Sequence, residues 1–289
     1  MNEFPSLAII GGSGLYDMPD LTNIEEHDVN TPFGKPSAPL VIGSLEGQRV
    51  VFLARHGHGH RYSPSEVNYQ ANIYALKSLG VELIVSISAC GSLREDYAPG
   101  EIVIPDGIFD FTRNRKRTFF EGNCVVHISI ANPFCPDLSQ QVYSAVEATG
   151  IRVHRGGTFI TIEGPRFSTR SESNVYRSWG MSIIGMTTSP EAFLAREAEM
   201  CYAVMAHVTD YDVWHISEEP VTVDQVVQIL HQNTQYAQQA VRNLVSNLKP
   251  QRTCDCGNAL ATALITQRDV IPPNTRRRLS LLLDKYLSG

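Results

Sequence analysis

Seven short, mostly apolar runs most restrict what this chain can become: Leu7–Ile10, Val50–Ala54, Leu83–Ser88, Glu101–Ile104, Thr158–Ile162, Ser182–Met186 and Ala203–Val208. Strands that are apolar at nearly every position, rather than at every second one, have both faces covered. Segments with helical spacing lie between them, so the chain reads as an α/β protein with a sheet flanked by helices. Pro64–Leu79 and Asp137–Ala148 are two such helices, the second closed by Gly150 as a left-handed C-terminal residue. Ser189 followed by Pro190 reads as an N-cap and first helical residue. Thr222 and Gln225 form a capping-box pair, after which Val226, Leu230, Ala237, Val241, Leu244 and Leu248 share one helical face. One main domain is expected over residues 1–249, with a seam at Lys249-Pro250-Gln251-Arg252 and a short helical extension over 250–289 packed on the same domain.

The 289 residues are 43% apolar, enough for one large core. No apolar run approaches the ~18 residues of a membrane span. The excess of 30 acidic over 24 basic residues, a net charge of −6, disfavours a nucleic-acid or anionic-membrane surface. The opening Met-Asn-Glu-Phe-Pro has no basic stretch or cleavage site and reads as cytoplasmic. Of the six cysteines, Cys90, Cys124, Cys135 and Cys201 are scattered and read as small buried hydrophobes, while Cys254 and Cys256 form a Cys-x-Cys pair. No Cys-x-x-Cys occurs, and His56, His58 and His60 match no metal-ligand spacing, so no metal is expected.

The strand ends carry the chemistry. Gly11-Gly12-Ser13-Gly14 follows the first strand, but a dinucleotide fingerprint in that register needs a small residue where Asp17 stands. A loop of backbone N–H groups with one hydroxyl remains, suited to an isolated phosphate or to a plain turn. Arg55-His56, Ser88-Ala89-Cys90-Gly91-Ser92 and Met186-Thr187-Thr188 end three further strands with a guanidinium fork, hydroxyls and small residues, a recurrence that points to a shared anion site. Asp210 and Asp212, two apart in extended backbone, would project the same way, and two carboxyls in one partly apolar site can differ in protonation. No Gly-x-Ser-x-Gly elbow supports a serine hydrolase.

Ten stretches, in order, resemble the 5′-methylthioadenosine phosphorylases of the trimeric purine nucleoside phosphorylase superfamily: GGSGLYD, TPFGKPSAPL, ARHG, PSEVNYQANIYALK, SACGSLRE, PGEIVIPD, ANPFCP, TIEGPRFSTRSES, MTTSPE and TDYDVW. The resemblance implies a twisted mixed sheet flanked by helices, a homotrimer or dimer of trimers, and no cofactor beyond phosphate as co-substrate. It implies phosphorolysis of 5′-methylthioadenosine to adenine and 5-methylthioribose 1-phosphate; the alternative is a 6-oxopurine nucleoside or methylthioinosine phosphorylase. By position, Ser13, Arg55, His56, Ser88, Ala89 and Thr187 would hold phosphate. Met186 would lie along the ribose and Phe167 against the base, with Ser168, Asp210 and Asp212 reading the base and Asp210 as the catalytic acid. His60 and His127 would sit beside or across a subunit boundary near the 5′ end, and Val223 and Val226 would wall the methylthio group. Relatives commonly carry Asn where this chain has Gly185, and Glu, in the 6-oxopurine enzymes, where it has Ser168. Adenine presents an acceptor at N7 beside a donor at N6, a pattern that a protonated and an ionised carboxyl match together.

Overall fold

In the computed structural model the strands are β1 (Leu7–Gly11), β2 (Thr22–His27), β3 (Leu40–Leu45), β4 (Gln48–Ala54), β5 (Leu83–Ser92), β6 (Ile102–Ile104), β7 (Gly107–Phe111), β8 (Val153–Arg155), β9 (Thr158–Ile162), β10 (Ile183–Gly185) and β11 (Cys201–Asp210). The helices are α1 (Tyr69–Ser78), α2 (Pro136–Glu147), α3 (Arg170–Ser178), α4 (Thr188–Glu197), α5 (Val223–Asn247), α6 (Pro273–Arg278) and α7 (Ser280–Leu287). The structure describes residues 5–12, 15, 18–215, 222–249 and 251–287, and in α5 omits the side chains at 225, 226, 228 and 230–232.

All strands join one mixed sheet whose main path runs β2-β3-β4-β1-β5-β10-β9-β7. β5 is where it forks. β1 and β11 flank its first part in parallel, and antiparallel β10 pairs with Gly91 and Ser92. β11 carries the second branch, antiparallel to β6, which in turn pairs with β8. The strand expected over Leu83–Ser88 runs on through Ser92, because β11 and β10 both supply ladder partners there.

The alternation of side chains splits the core in two. Ala8, Ile10, Ile84, Val204 and Ala206 face α1 and α4 on one side, while Ile9, Val85, Met205 and the Ala237, Val241 and Leu244 stripe of α5 pack on the other. Residues after α5 join the same clusters through Cys256, Leu260, Leu279 and Leu283.

Helix α1 starts at Tyr69 rather than Pro64, because the Asn68 side chain accepts the Ala71 N–H and caps it there. Ser189 does have non-helical backbone, but its hydroxyl caps nothing among the described residues, and the element begins at Thr188. Helix α5 follows Thr222 as expected; the capping box rests on the Gln225 side chain, outside the described residues.

Candidate active site

A cavity of about 640 Å3 opens where several strand ends converge, within the usual range for small-molecule sites. Gly12 follows β1, Arg55 and His56 follow β4, Ser88–Gly91 come from β5, Ile184 and Gly185 from β10, and Thr209 and Asp210 from β11. Phe167, Ser168, Met186, Thr187 and Asp212 come from loops, and Val227, Asn233, Thr234 and Ala237 from α5. Crevices at strand ends are the usual ligand positions in open α/β sheets.

At one end lies a buried polar chain. The Arg55 guanidinium is buried, with Nε and Nη2 donating to the two Glu191 carboxylate oxygens at 2.8 and 2.9 Å. Nη2 also donates to Ser86 Oγ at 2.6 Å and Nη1 to the Ile87 carbonyl at 3.3 Å. Of the five guanidinium N–H groups, one on Nη1 remains for a ligand. Burial works against the Arg55 charge, and the Glu191 carboxylate outweighs it and raises the pKa. Ser86 Oγ lies 3.3 Å from Ser88 Oγ, itself 3.5 Å from Thr187 Oγ1, which leads the chain of hydroxyls to the cavity wall. His56 Nδ1 donates to the Tyr62 carbonyl at 2.8 Å, leaving Nε2 for a ligand. Burial, with the Arg55 charge beside it, pushes His56 down to about 4, so the ring is neutral. His60 stacks on it with centroids 4.2 Å apart.

The carboxyl pair forms the other end. Asp210 closes β11, and Asp212 follows in a turn with φ +51°, donating its N–H to Asp210 Oδ1 at 2.7 Å. The two thus converge through a turn closed by that bond, not through strand alternation as expected. Burial pushes Asp210 up, and Asp212 to about 6, with the Asp210 charge adding to the latter. Thr209 Oγ1 lies 2.6 Å from Asp210 Oδ2 and 3.2 Å from the Cys90 carbonyl. The Thr209 hydroxyl donates to Oδ2, and this bond, with that from the Asp212 N–H, lowers the Asp210 pKa in part against burial. Ser168 and Ser173 lie close enough to lower the Asp212 pKa in part, yet Ser168 Oγ, Ser173 Oγ and Asp212 Oδ2 have no hydrogen-bond partner among the described residues. A Cβ on Gly91 would meet Asp210 Oδ1 at 2.9 Å and Asp212 Cβ at 3.3 Å, so this glycine makes room for the pair.

Of the expected residues, Arg55, His56, His60, Ser88, Ala89, Phe167, Ser168, Met186, Thr187, Asp210 and Asp212 line this one cavity. Ser13 and the Val226 side chain lie outside the described residues. Val223 does not line it: as the first residue of α5 it sits beyond the mouth, 64% exposed, and Val227, one turn on, takes the wall. His127 is exposed and away from the cavity, its N–H donating to the Ala263 carbonyl.

Two features were not anticipated. His207, on β11 between Ala89 and Ile102, is fully buried at the cavity wall, and neither ring nitrogen has a partner among the described residues. Burial pushes it down to about 4. Asn233 Nδ2, on the facing helix, is likewise unpartnered there. A histidine inside an apolar run reads as core, and only the packing of α5 shows otherwise. Arg115 is the second: buried, it donates to the Met186, Ser189 and Glu163 carbonyls at 2.6, 2.7 and 2.7 Å and pins the segment that carries Met186 and Thr187 to the loop that follows β9.

The family model of the phosphorylase superfamily matches residues 6–246. The S-methyl-5′-thioadenosine phosphorylase of Koribacter versatilis is 51% identical over 280 residues, 97% of this chain and 96% of its own. A methylthioadenosine phosphorylase structure from an antarctic soil metagenomic library superposes with a TM-score of 0.93 at 46% identity, covering 97% of this chain and 99% of its own. The Schistosoma mansoni methylthioadenosine phosphorylase in complex with adenine superposes with a TM-score of 0.82 at 35% identity, covering 97% and 98%.

Proposed function

Because the chain belongs to the phosphorylase superfamily, we propose that it cleaves 5′-methylthioadenosine with inorganic phosphate, giving adenine and 5-methylthioribose 1-phosphate. The observation that carries this is the buried Asp210–Asp212 pair in the same cavity as the Arg55, Ser88 and Thr187 cluster. Breaking the bond between ribose and purine builds positive charge on the sugar and negative charge on the base. Phosphate held by Ser88, Ala89, Thr187, the Nη1 N–H of Arg55 and Ser13, with its own P–OH donating to His56 Nε2, stands beside the sugar as nucleophile and counter-charge. Asp210, whose pKa burial raises, donates to N7 of the leaving base in its protonated form. Asp212 Oδ2, which no protein donor engages among the described residues, accepts from the 6-amino group. A 6-oxo group would face that same oxygen with an acceptor, which disfavours hypoxanthine and guanine. Phe167 stacks on the base, Ser168 faces it, and Met186 lies along the ribose.

The 5′ methylthio group lies toward α5, against Val227 and Val226. His127, exposed and off its own chain's cavity, serves the 5′ end of a neighbour's site in a homo-oligomer, a trimer or dimer of trimers. Phosphate is a co-substrate and no organic cofactor takes part; the enzyme acts in the cytoplasm. Residues 1–249 form the phosphorylase domain, with 250–289 packed onto it.

Base release measured across a nucleoside panel, with and without phosphate, tests this. The expected outcome is phosphate-dependent adenine release with a sugar 1-phosphate as co-product, fastest with methylthioadenosine. Equal release without phosphate would make the protein a hydrolase, and preference for methylthioinosine would move it to the 6-oxo class.

A further inference from the structure

Four thiols that are far apart in the sequence meet at the opposite end of β11 from the active site. Cys135 is the residue just before α2, Cys201 opens β11, Cys254 immediately precedes the 3-10 turn Asp255–Asn258, and Cys256 lies within that turn. Their sulfurs all lie within 4.8 Å of one another, with Cys201 and Cys254 Sγ 3.3 Å apart. Three of the side chains are buried and Cys254 is half-buried, which leaves one route in from solvent. All four are free thiols, and among the described residues this is the one gathered set of metal-ligating side chains. Arg196 Nη1, from α4, donates to Cys256 Sγ at 3.0 Å, placing a cation against the cluster.

We propose that Cys135, Cys201, Cys254 and Cys256 form a tetrathiolate site for a structural Zn2+ ion that fastens the C-terminal extension to the phosphorylase core. Four sulfurs around zinc at about 2.3 Å stand about 3.8 Å apart, a tetrahedron that these side chains approach with sub-ångström shifts. The missing Cys-x-x-Cys is no obstacle: the Cys-x-Cys pair supplies two ligands and the strand and helix starts supply two more. The balance is simple, since Zn2+ takes the four thiolates and four thiol protons leave to solvent. The complex then carries a net charge of −2, and the Arg196 guanidinium offsets part of it. Two disulfides would use the same atoms, but each needs a two-electron oxidant that nothing in the structure supplies.

None of the four residues lines the active-site cavity, and Cys201 and Asp210 stand at opposite ends of a ten-residue strand, roughly 30 Å apart at about 3.3 Å per residue. Metal loss should therefore lower stability and leave turnover nearly intact. The test is metal analysis of the full chain purified under reducing conditions, followed by Co2+ titration of chelator-treated protein. Expected are about one zinc per chain and, with Co2+, the thiolate charge-transfer and intense d–d bands of a tetrahedral sulfur site. Cys254→Ser and Cys256→Ser should lose both signals and lower Tm by on the order of 10 °C, with kcat/KM unchanged within two-fold at low temperature; Cys124→Ser, a buried thiol outside the cluster, should keep them. Four freely titrating thiols with no bound zinc and no Co2+ bands in wild-type protein would overturn the proposal. So would a mass deficit of four hydrogens, which would show the thiols paired as disulfides.

Discussion

Asp212 is the residue whose charge is most sharply balanced: burial beside Asp210 lifts it to about 6, close to the pH at which an enzyme works. Above that value it is ionised and accepts strongly from a 6-amino group; below it the protonated carboxyl is a weaker acceptor whose O–H can turn toward the base as a competing donor. On methylthioadenosine, kcat/KM should therefore fall as pH drops through about 6. Asp212→Asn keeps a carbonyl acceptor that does not titrate, so the acid limb should vanish from its pH–rate profile. Asp210→Asn removes the transferable proton, and turnover of methylthioadenosine should drop by about 10² or more, with a smaller loss on methylthioinosine, where an amide serves O6 and N7. Equal losses on both substrates would remove the specificity role and keep the catalytic one. Arg55 differs in that most of its donors are spent on Glu191, Ser86 and Ile87. Arg55→Lys keeps the charge and loses the fork, so the KM for phosphate should rise several-fold more than the KM for nucleoside.

At the scale of elements, Gly185 shows how a departure in sequence is absorbed by a neighbouring strand. A Cβ there would meet the Phe159 ring of β9 at 2.7 and 2.8 Å, and Phe159 is fully buried. The ring occupies the space that any side chain at 185 would need. Gly185→Asn should cost about 1–3 kcal/mol by overpacking. Combining it with Phe159→Ala should cost less than the two single changes added together, a coupling that denaturant unfolding of all four proteins reads directly. The strands that were legible in the sequence, β1, β4, β5, β6, β9, β10 and β11, are buried along most of their length and mostly apolar; β3, Leu-Val-Ile-Gly-Ser-Leu, is buried likewise but was not read as a strand. β2, Thr-Asn-Ile-Glu-Glu-His, is an exposed edge and carries no such signal. Helix α3 is largely polar and was not read from the sequence; its Thr169–Glu172 capping box forms in full. Strand-end residues of the site were legible because loops after apolar strands announce themselves. His207, Asn233 and Arg115 were not, since each becomes functional only through what packs against it.

For the whole molecule, the buried titrating groups fall into two opposed sets. Glu197 joins α4 to the 118–119 segment, accepting from Thr118 Oγ1 and the Phe119 N–H at 2.7 Å each, and burial pushes it up from 4.5 to about 7. Between those values the folded state holds a proton that the unfolded chain has released, so this group lowers stability as pH rises, by about 3 kcal/mol over the window. Asp212 acts in the same sense up to about 6. His207 is the reverse: held down at about 4 from 6.5, it is neutral when folded and charged when unfolded, so stability rises with pH between those values by about 3 kcal/mol. His56 adds to this second set. The two sets nearly cancel, and wild-type stability should be almost flat between pH 5 and 6.5. Glu197→Gln removes one side of the balance while the histidines stay. Relative to wild type, that variant should be more stable at pH 7 than at pH 5 by about 2 kcal/mol, whatever its offset at a single pH. His207→Leu should tilt the other way, gaining relative to wild type as pH falls from 6.5 to 5. Urea midpoints at fixed chain concentration, taken at each half unit of pH, measure both slopes. Curves parallel to wild type for both variants would mean that neither group is held away from its ordinary pKa in the folded protein.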